Sequence, residues 1–407
     1  MSVHGAWRVP SLRGGFLAAA LSLAAMALGA FGAEYHLAAR IADAPRQASD
    51  RLGLAYDGRT MVEVVAALDE GDPGAVPAVW PGYLLEKQDG GHRHSALSAG
   101  DGREVLPLGG VSNATTVMCR EVGAYVTYKS DRHGFNNPDP VWDSRALDVV
   151  LVGDSFGQGQ CVPPEAQAAH LLRTAFPATL NLAMGHNGPL LELASLVEYG
   201  GRQKPRVVIW LFYQGNDLIE DLPREAASPL LARYLEPGFT QGLESRQAEV
   251  DGLLRGYLTD AAAEMRVESI AARHRMESLV RLRTLRRALG VGRTRPQPDV
   301  PRFEAILGEA SARISAWGGR AYFAYLPGWI EVMKPDETMA SSRSAVVAAA
   351  RRSGFAVIDL HAAMARAPDP GVFFYYPASH YSPDGQKLLA EAILSQLEAD
   401  GVRPSPP

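Results

Sequence analysis

The stretch that decides the fold is ALDVVLVGDS, residues 146–155, in which a run of apolar, partly β-branched residues ends at a Gly-Asp-Ser turn. Three similar runs follow: VVIWLF at 207–212, AYFAYL at 321–326 and FAVIDL at 355–360. Short strands that are apolar on both faces, separated by helix-length segments, are typical of a parallel sheet covered by helices. The sequence therefore predicts a three-layer α/β sandwich with a central parallel sheet over residues 146–400.

Helices are predicted in the segments between these runs, at 161–175, 189–200, 301–317, 339–352 and 385–398. The last of them has the clearest start, because Ser382 is a favoured N-cap residue and Pro383 suits the first helical position. Residues 222–300 are rich in Arg, Glu, Leu and Ala. This stretch is interpreted as a helical insertion in the α/β domain.

The N-terminal part of the chain carries GFLAAALSLAAMALGAFGA at 15–33, a run without charged residues. As a helix it extends about 28 Å, close to the hydrocarbon thickness of a bilayer. Arg8 and Arg13 precede it, which predicts a cytoplasmic N-terminus and an exported remainder. A cleaved signal peptide is the alternative, but a cut after Ala33 leaves Phe31 where a small residue is required. An uncleaved, single-pass anchor in the inner membrane is therefore favoured, with the rest of the chain periplasmic or extracytoplasmic.

The remaining sequence is divided by composition. Residues 1–34 form the anchor or signal segment, and residues 35–145 are interpreted as a linker and an N-terminal extension packed on the α/β domain.

The formal net charge of −5 argues against a nucleic-acid partner. Cys119 and Cys161 are the two cysteines; they leave one bridge open, because geometry decides whether they pair. The histidines lack metal-ligand spacing, so neither a metal nor a cofactor is expected.

Four short motifs place polar groups at predicted strand ends or before a predicted helix. Ser155 ends the first strand, and open parallel sheets bind ligands at the carboxyl ends of their strands. NLAMGHNGP at 181–189 supplies glycines that let the backbone approach a ligand, and QGND at 214–217 supplies Asn216, whose amide can stabilise an oxyanion. His380, in YYPASHYSPDG, precedes the last helix. A neutral imidazole within reach is what a serine hydroxyl needs to act as a nucleophile at pH 7.

In this order the motifs resemble those of the SGNH (GDSL-like) hydrolase superfamily. The resemblance implies a flavodoxin-like α/β fold and an acyl-enzyme mechanism in which Ser155 is the nucleophile and His380 its base. It also implies an oxyanion hole built from the Asn216 side chain and a backbone N–H of the glycine-bearing loop.

One departure from the family pattern concerns this backbone donor. In many relatives a glycine lies five residues after the asparagine that opens the second motif, and here that position is His186. Any residue other than proline offers a backbone N–H, so His186 can keep the function, or Gly188 can take it. The His186 side chain is an accessory candidate for the site.

A second departure concerns the acid that orients the catalytic histidine. The family places an aspartate three residues before the histidine, and here that residue is Pro377. Asp359, Asp369 and Asp384 are candidates to replace it. A backbone carbonyl would instead leave a Ser-His dyad.

The expected function follows from the resemblance, since members of the superfamily include esterases, lipases, thioesterases and carbohydrate O-acyl esterases. YKSDRHGFNNPD at 128–139 also resembles a segment of membrane-anchored bacterial members that are often associated with surface polysaccharides. The chain is expected to be an extracytoplasmic serine esterase acting on an acylated carbohydrate or lipid. The alternatives are an O-acyltransferase in exopolysaccharide modification and a non-catalytic polysaccharide-binding or assembly protein on the same scaffold.

Overall fold

The computed structural model describes residues 12–259, 282–289 and 297–405. In that part the α-helices are α1 (Leu12–Arg51), α2 (Met61–Asp69), α3 (Ser155–Gln158), α4 (Ala168–Arg173), α5 (Pro189–Ser195), α6 (Leu222–Glu225), α7 (Pro229–Ala232), α8 (Gln247–Thr259), α9 (Arg283–Ala288), α10 (Val300–Ala316), α11 (Trp329–Met333), α12 (Glu337–Arg352), α13 (His361–Ala365) and α14 (Pro383–Ala399). The strands are β1 (Val76–Pro77), β2 (Leu85–Lys87), β3 (Arg93–Ser95), β4 (Thr115–Cys119), β5 (Val126–Lys129), β6 (Val149–Gly153), β7 (Thr179–Asn181), β8 (Val207–Tyr213), β9 (Arg320–Leu326) and β10 (Ala356–Asp359).

The central sheet has five strands in the order β10-β9-β8-β6-β7, and every neighbouring pair is parallel. Counted along the chain within this sheet, the order is 2-1-3-4-5, which is the flavodoxin-like order. The topological switch point lies between β6 and β8. From β6 the chain continues to β7 on one side of the sheet, whereas from β8 it continues to β9 on the other side. A ligand site is expected at the carboxyl ends of these two strands.

The sheet is apolar on both faces because successive side chains of a strand point to opposite sides. On β8, Val208 and Trp210 face the cluster that contains α5, α10 and α12. Val207 and Ile209 face the other cluster, with α4 and α14. The predicted three-layer α/β architecture with a parallel sheet is therefore confirmed.

Four of the predicted helices are found at or near their predicted positions, but the one at 161–175 is shorter than expected. Helix α4 spans only Ala168–Arg173, with a 3₁₀ turn at Pro164–Ala166 before it. The physical reason is the pair Pro163 and Pro164, which lack N–H groups and hold the preceding residues in extended conformations.

The chain divides into two compact units, residues 1–44 with 261–295 and residues 45–260 with 296–407. The second unit therefore contains both the central sheet and residues 45–145 of the N-terminal extension. That extension forms a three-stranded sheet, β1-β4-β5, and the antiparallel pair β2-β3. Its side chains Leu106, Phe135 and Trp142 belong to the same apolar cluster as Val150 of β6.

The first unit contains most of α1 and the short helix α9. The buried carboxylate of Glu34 accepts hydrogen bonds from the backbone N–H groups of Thr284 (2.9 Å) and Leu285 (2.6 Å) at the start of α9. The predicted anchor, residues 15–33, lies in α1, and its side chains up to residue 20 are outside the described part. Of the helices in the described residues, none is long and apolar enough to cross a membrane. In the predicted insertion 222–300, α6 to α9 are helical, whereas residues 260–281 and 290–296 lie outside the description.

Candidate active site

Ser155 stands at the switch point, directly after β6. The strand ends at Gly153, and Asp154 caps the next helix by accepting the Phe156 N–H at 2.8 Å. Helix α3 can pack tightly on the sheet because Gly157 has no side chain: a Cβ there would lie 2.8 Å from Ala183 and from Leu211. These contacts hold the Ser155 hydroxyl at the carboxyl end of the sheet.

His380 reaches the same point from the loop before α14. Its Nε2 lies 2.9 Å from the Ser155 Oγ, which is hydrogen-bond distance. The loop is held by Ser382, whose Oγ accepts the Gly385 N–H as the cap of α14 and donates to the Val372 carbonyl. The structure thus brings together the nucleophile and base that the motifs predict, although they are 225 positions apart.

The acid of this site is Glu121, which the sequence analysis did not identify. One of its carboxylate oxygens lies 2.8 Å from the His380 Nδ1, and both oxygens accept the His380 backbone N–H, at 3.2 and 3.1 Å. A carboxylate is acceptor-only, so the proton of a neutral imidazole must sit on Nδ1. Nε2 is then free to take the proton of Ser155. Ser155, His380 and Glu121 form a Ser-His-Glu triad.

The candidate acids from the sequence do not have this function. Asp359 accepts the N–H of His361 at 3.0 Å, and Asp369 accepts the N–H of Gly371 at 2.9 Å. Asp384 lies in the first turn of α14. The predictions of an aspartate substitute or a Ser-His dyad are corrected by one contact, because the Nδ1 of His380 is already bonded to Glu121 of the N-terminal extension.

The surroundings of His380 set its basicity. Burial acts to lower the pKa of His380, but the charge of Glu121, its hydrogen bond to Nδ1 and the charge of Asp154 outweigh burial, so the pKa lies above its ordinary value. Asp154 is itself buried, which raises its pKa to about 6. Both carboxyl groups therefore favour the protonated form of the His380 imidazole.

Candidate donors for an oxyanion come from the segments that follow β6, β7 and β8. Within the described residues no acceptor takes the backbone N–H of Ser155 or that of His186. His186 has a φ of 59°, a left-handed conformation that is uncommon for a residue with a side chain. The Asn216 Nδ2 donates to Asp221 at 2.5 Å, and since an amide nitrogen has two protons, one remains for a ligand.

Gly188 does not supply this hole, contrary to the prediction. Its N–H donates to Glu225 at 2.5 Å, and the same carboxylate accepts the N–H groups of Leu190 and Leu191 at 2.9 and 3.3 Å. Glu225 is fully buried, and burial raises its pKa to about 7. Gly188 is needed for packing, because a Cβ there would lie 2.6 Å from Asp221. His186 is left as the backbone donor of this loop.

An aromatic cluster formed by Trp80, Tyr83 and His186 lies beside the nucleophile helix. The Tyr83 hydroxyl is 2.6 Å from the His186 Nε2, and the centres of the two rings are 4.2 Å apart with their planes tilted by 34°. The Trp80 Nε1 donates to Gln158, the last residue of α3. Burial, with the charges of Arg224 and His380, lowers the pKa of His186 to about 4, so it is neutral at pH 7. Its side chain supports the cluster rather than exchanging protons.

One group of potential metal ligands coincides with the triad. Ligand atoms of Glu121, Cys161 and His380 lie within 4.8 Å of one another. Cys161 is bonded to Cys119 in a disulfide, with Cα atoms 5.2 Å apart. A disulfide sulfur is not a thiolate, so this set lacks the ligand that would hold a soft metal. The disulfide that the sequence left open is therefore formed at the site.

Glu121 was missed because it lies in the turn between β4 and β5, outside the predicted α/β domain. The cysteines were the signal that could have found it. Cys119 precedes Glu121 by two residues and Cys161 follows Ser155 by six, so a bridge between them brings the glutamate to the nucleophile.

Comparison with known proteins found similarity in solved structures only; no protein-family model and no curated protein matches the sequence. A lipase/acylhydrolase from Enterococcus faecalis is 15% identical with a TM-score of 0.37, over 64% of this chain and 100% of its own. An acetyl xylan esterase is 11% identical with a TM-score of 0.36, over 62% and 100%. A member of the lipolytic G-D-S-L family from Veillonella parvula is 11% identical with a TM-score of 0.34, over 61% and 97%.

Proposed function

We propose that this protein is a serine esterase that hydrolyses acyl esters through a Ser155 acyl-enzyme. The observation that carries the proposal is the continuous hydrogen-bonded chain from the Ser155 Oγ through His380 to Glu121. A serine hydroxyl at a strand end, bonded to an imidazole that a carboxylate orients, is the arrangement that activates an alcohol as a nucleophile.

The reaction follows from this geometry. The Ser155 Oγ forms a bond to the ester carbonyl carbon while its proton passes to the His380 Nε2. The negative oxygen of the tetrahedral intermediate is bound by the free N–H groups of Ser155 and His186 and by the Asn216 amide. As the bond to the alcohol breaks, the alcohol takes the proton from Nε2. Water then attacks the acyl-enzyme in the same way, releasing the carboxylic acid and restoring Ser155.

The proposed substrate is an acylated carbohydrate. Sugar rings present apolar C–H faces that pack on aromatic rings, and the cluster of Trp80, Tyr83 and His186 offers such a surface next to α3. Tyr83 is 56% exposed, so part of its ring is open to a ligand. An acylated lipid offers no ring to stack and is the less favoured substrate.

The proposed location is extracytoplasmic, with residues 15–33 as an inner-membrane anchor. Arg8 and Arg13 before the apolar run support this orientation. The Cys119–Cys161 disulfide also supports it, because disulfides persist in oxidising compartments and are rare in the cytoplasm.

The structure bears differently on the two alternative functions, the non-catalytic scaffold and the O-acyltransferase. A non-catalytic scaffold would fit a site in which no carboxylate orients His380, whereas Glu121 lies 2.8 Å from its Nδ1. An O-acyltransferase uses the same acyl-enzyme and differs only in that a sugar hydroxyl, not water, attacks it. The experiment below therefore measures both products.

The test uses the purified full chain with p-nitrophenyl acetate and with an acetylated oligosaccharide, in the presence or absence of the bare oligosaccharide. Ser155→Ala is expected to lower kcat by about 10⁴-fold or more. Ser195→Ala is the matched control, because the described residues provide no hydrogen-bond partner for this buried hydroxyl. Equal rates for wild type and Ser155→Ala would refute the proposal, and acetyl groups on the bare oligosaccharide would identify a transferase.

The carbohydrate part is tested separately by Tyr83→Ala. Loss of one ring surface is expected to raise KM for the acetylated oligosaccharide about tenfold, corresponding to about 1.4 kcal/mol, and to change KM for p-nitrophenyl acetate much less, because only the sugar contacts the ring. Tyr35→Ala, at another exposed tyrosine, is the control. An unchanged KM for the oligosaccharide would exclude the aromatic cluster as the sugar site.

A further inference from the structure

The acid and the base of the triad come from segments that no local turn connects. Glu121 and His380 are 259 positions apart, and Glu121 lies in the turn between β4 and β5 of the N-terminal extension. A carboxylate on such a turn needs a fixed reference to stay at 2.8 Å from an imidazole. The position of this turn relative to the nucleophile therefore decides whether the triad is complete.

One side of the turn is held by noncovalent contacts within the extension. The Gly123 N–H donates to the Ser49 Oγ at 2.9 Å, and the Gly123 carbonyl accepts the Asp57 N–H at 2.9 Å. The Arg120 guanidinium lies 4.3 Å from the centre of the Tyr56 ring. All these partners belong to the extension, so none of them ties Glu121 to the segment that carries Ser155.

The disulfide supplies that connection. Cys119 is the last residue of β4, two positions before Glu121, and Cys161 lies in the loop that follows α3, six positions after Ser155. Cys161 has a φ of 61°, in the left-handed region that is uncommon for a residue with a side chain, and its carbonyl accepts the Tyr375 hydroxyl at 3.0 Å. The bridge thus links the turn that carries Glu121 to the loop that follows Ser155. Each cysteine lies within six positions of one of these two residues.

We propose that Cys119 and Cys161 are positioning residues of the esterase, and that their bridge holds Glu121 against His380. This inference rests on the proposed function and adds the element that assembles the site. Without the bridge, the β4–β5 turn keeps its contacts to the extension but loses its covalent link to the nucleophile loop. The carboxylate then spends less time on Nδ1, and the effect on turnover passes through Glu121.

The experiment is a double-mutant cycle in the full chain with Cys119→Ser/Cys161→Ser, Glu121→Gln and the combined variant. The bridge-free variant is expected to lose about 10²-fold in kcat, and its loss in the Glu121→Gln background is expected to be less than about threefold, because residues acting through one partner are non-additive. Its acid limb of kcat/KM is expected to move to lower pH, as that of Glu121→Gln does. Leu254→Ala, which removes a fully buried side chain of α8, is the control for general destabilisation and keeps its pH profile.

A second measurement does not need turnover. The titration of His380, followed by NMR of its ring, is expected to shift to lower pH in the bridge-free variant as in Glu121→Gln. If the double variant does not fold, the folded wild type is treated with a phosphine, which takes up the oxygen of water and leaves two thiols that are counted by mass spectrometry. An unchanged His380 titration without the bridge, or losses that multiply in the combined variant, would overturn the inference. If the wild-type protein shows no Ser155-dependent hydrolysis, the proposed function is refuted. The His380 titration then still tests whether the bridge holds Glu121 against His380.

Discussion

Replacing Glu121 by glutamine tests the triad at the contact between Glu121 and the His380 Nδ1, which only the structure revealed. The amide has nearly the same shape and can still accept the His380 backbone N–H, so the loop is expected to stay in place. What is lost is the negative charge beside the imidazolium that forms as Ser155 attacks. The Nδ1–Oε1 distance of 2.8 Å puts the two centres of charge about 4 Å apart, where unit charges attract by about 4 kcal/mol at an effective dielectric constant of about 20.

The pair is not fully buried, and this reduces the effect. The Glu121 side chain is 13% exposed and that of His380 is 24% exposed, so solvent screens part of the attraction. A loss of about 3 kcal/mol is therefore expected, which lowers kcat by about 10²-fold. Steady-state hydrolysis of p-nitrophenyl acetate at a pH where His380 is neutral measures it.

The same variant has a defined pH signature. In the wild type the pKa of His380 lies above its ordinary value, and kcat/KM rises with pH as this proton leaves. In Glu121→Gln, burial still lowers the pKa of His380 and only the charge of Asp154 raises it. The acid limb of kcat/KM therefore moves to lower pH. Glu104→Gln is the control, since Glu104 is bonded to the Nδ1 of His94 at 3.2 Å and lies outside the site. A Glu121→Gln enzyme within threefold of wild type, with the same acid limb, would refute the triad.

Three further predictions concern stability and metals. Glu225→Ala leaves three buried N–H groups at the start of α5 without an acceptor and is expected to lower the free energy of unfolding by about 3 kcal/mol, measured with urea; a change below about 0.5 kcal/mol would contradict it. Asp131→Ala removes a buried carboxylate that accepts hydrogen bonds from the N–H groups of His133 and Phe135 and from the Trp142 Nε1. It is expected to lower the free energy of unfolding by about 3 kcal/mol, measured as a lower Tm than that of the exposed control Asp101→Ala. Treatment with a chelator is expected to leave hydrolysis unchanged, and restoration of a lost activity by one added divalent metal would count against the triad mechanism.

Patterns local in the chain predicted the scaffold. The apolar runs that became β6, β8, β9 and β10 report burial on both faces directly, because side-chain alternation and helix spacing are properties of neighbouring residues. The same holds for Ser155, which follows the first strand, and for His380, which precedes the capped helix α14. Their places at strand and helix ends can be read from adjacent residues, and the parallel order of the sheet brings such ends together.

Contacts between distant segments decided the rest. Close to Glu121 in the chain only Cys119 points to its position, and that signal depends on a bridge to the distant Cys161; the partner of Glu121 itself is 259 positions away in another loop. The loss of Gly188 as a donor likewise depends on Glu225, which packs against α5 only in the folded chain. The sequence by itself determined the apolar strands of the sheet and predicted that Ser155 and His380 meet at its edge, which the structure shows. The tertiary structure decided the acid, the disulfide beside it and the free N–H of His186, because packing, not chain neighbourhood, sets which carboxylate meets which donor.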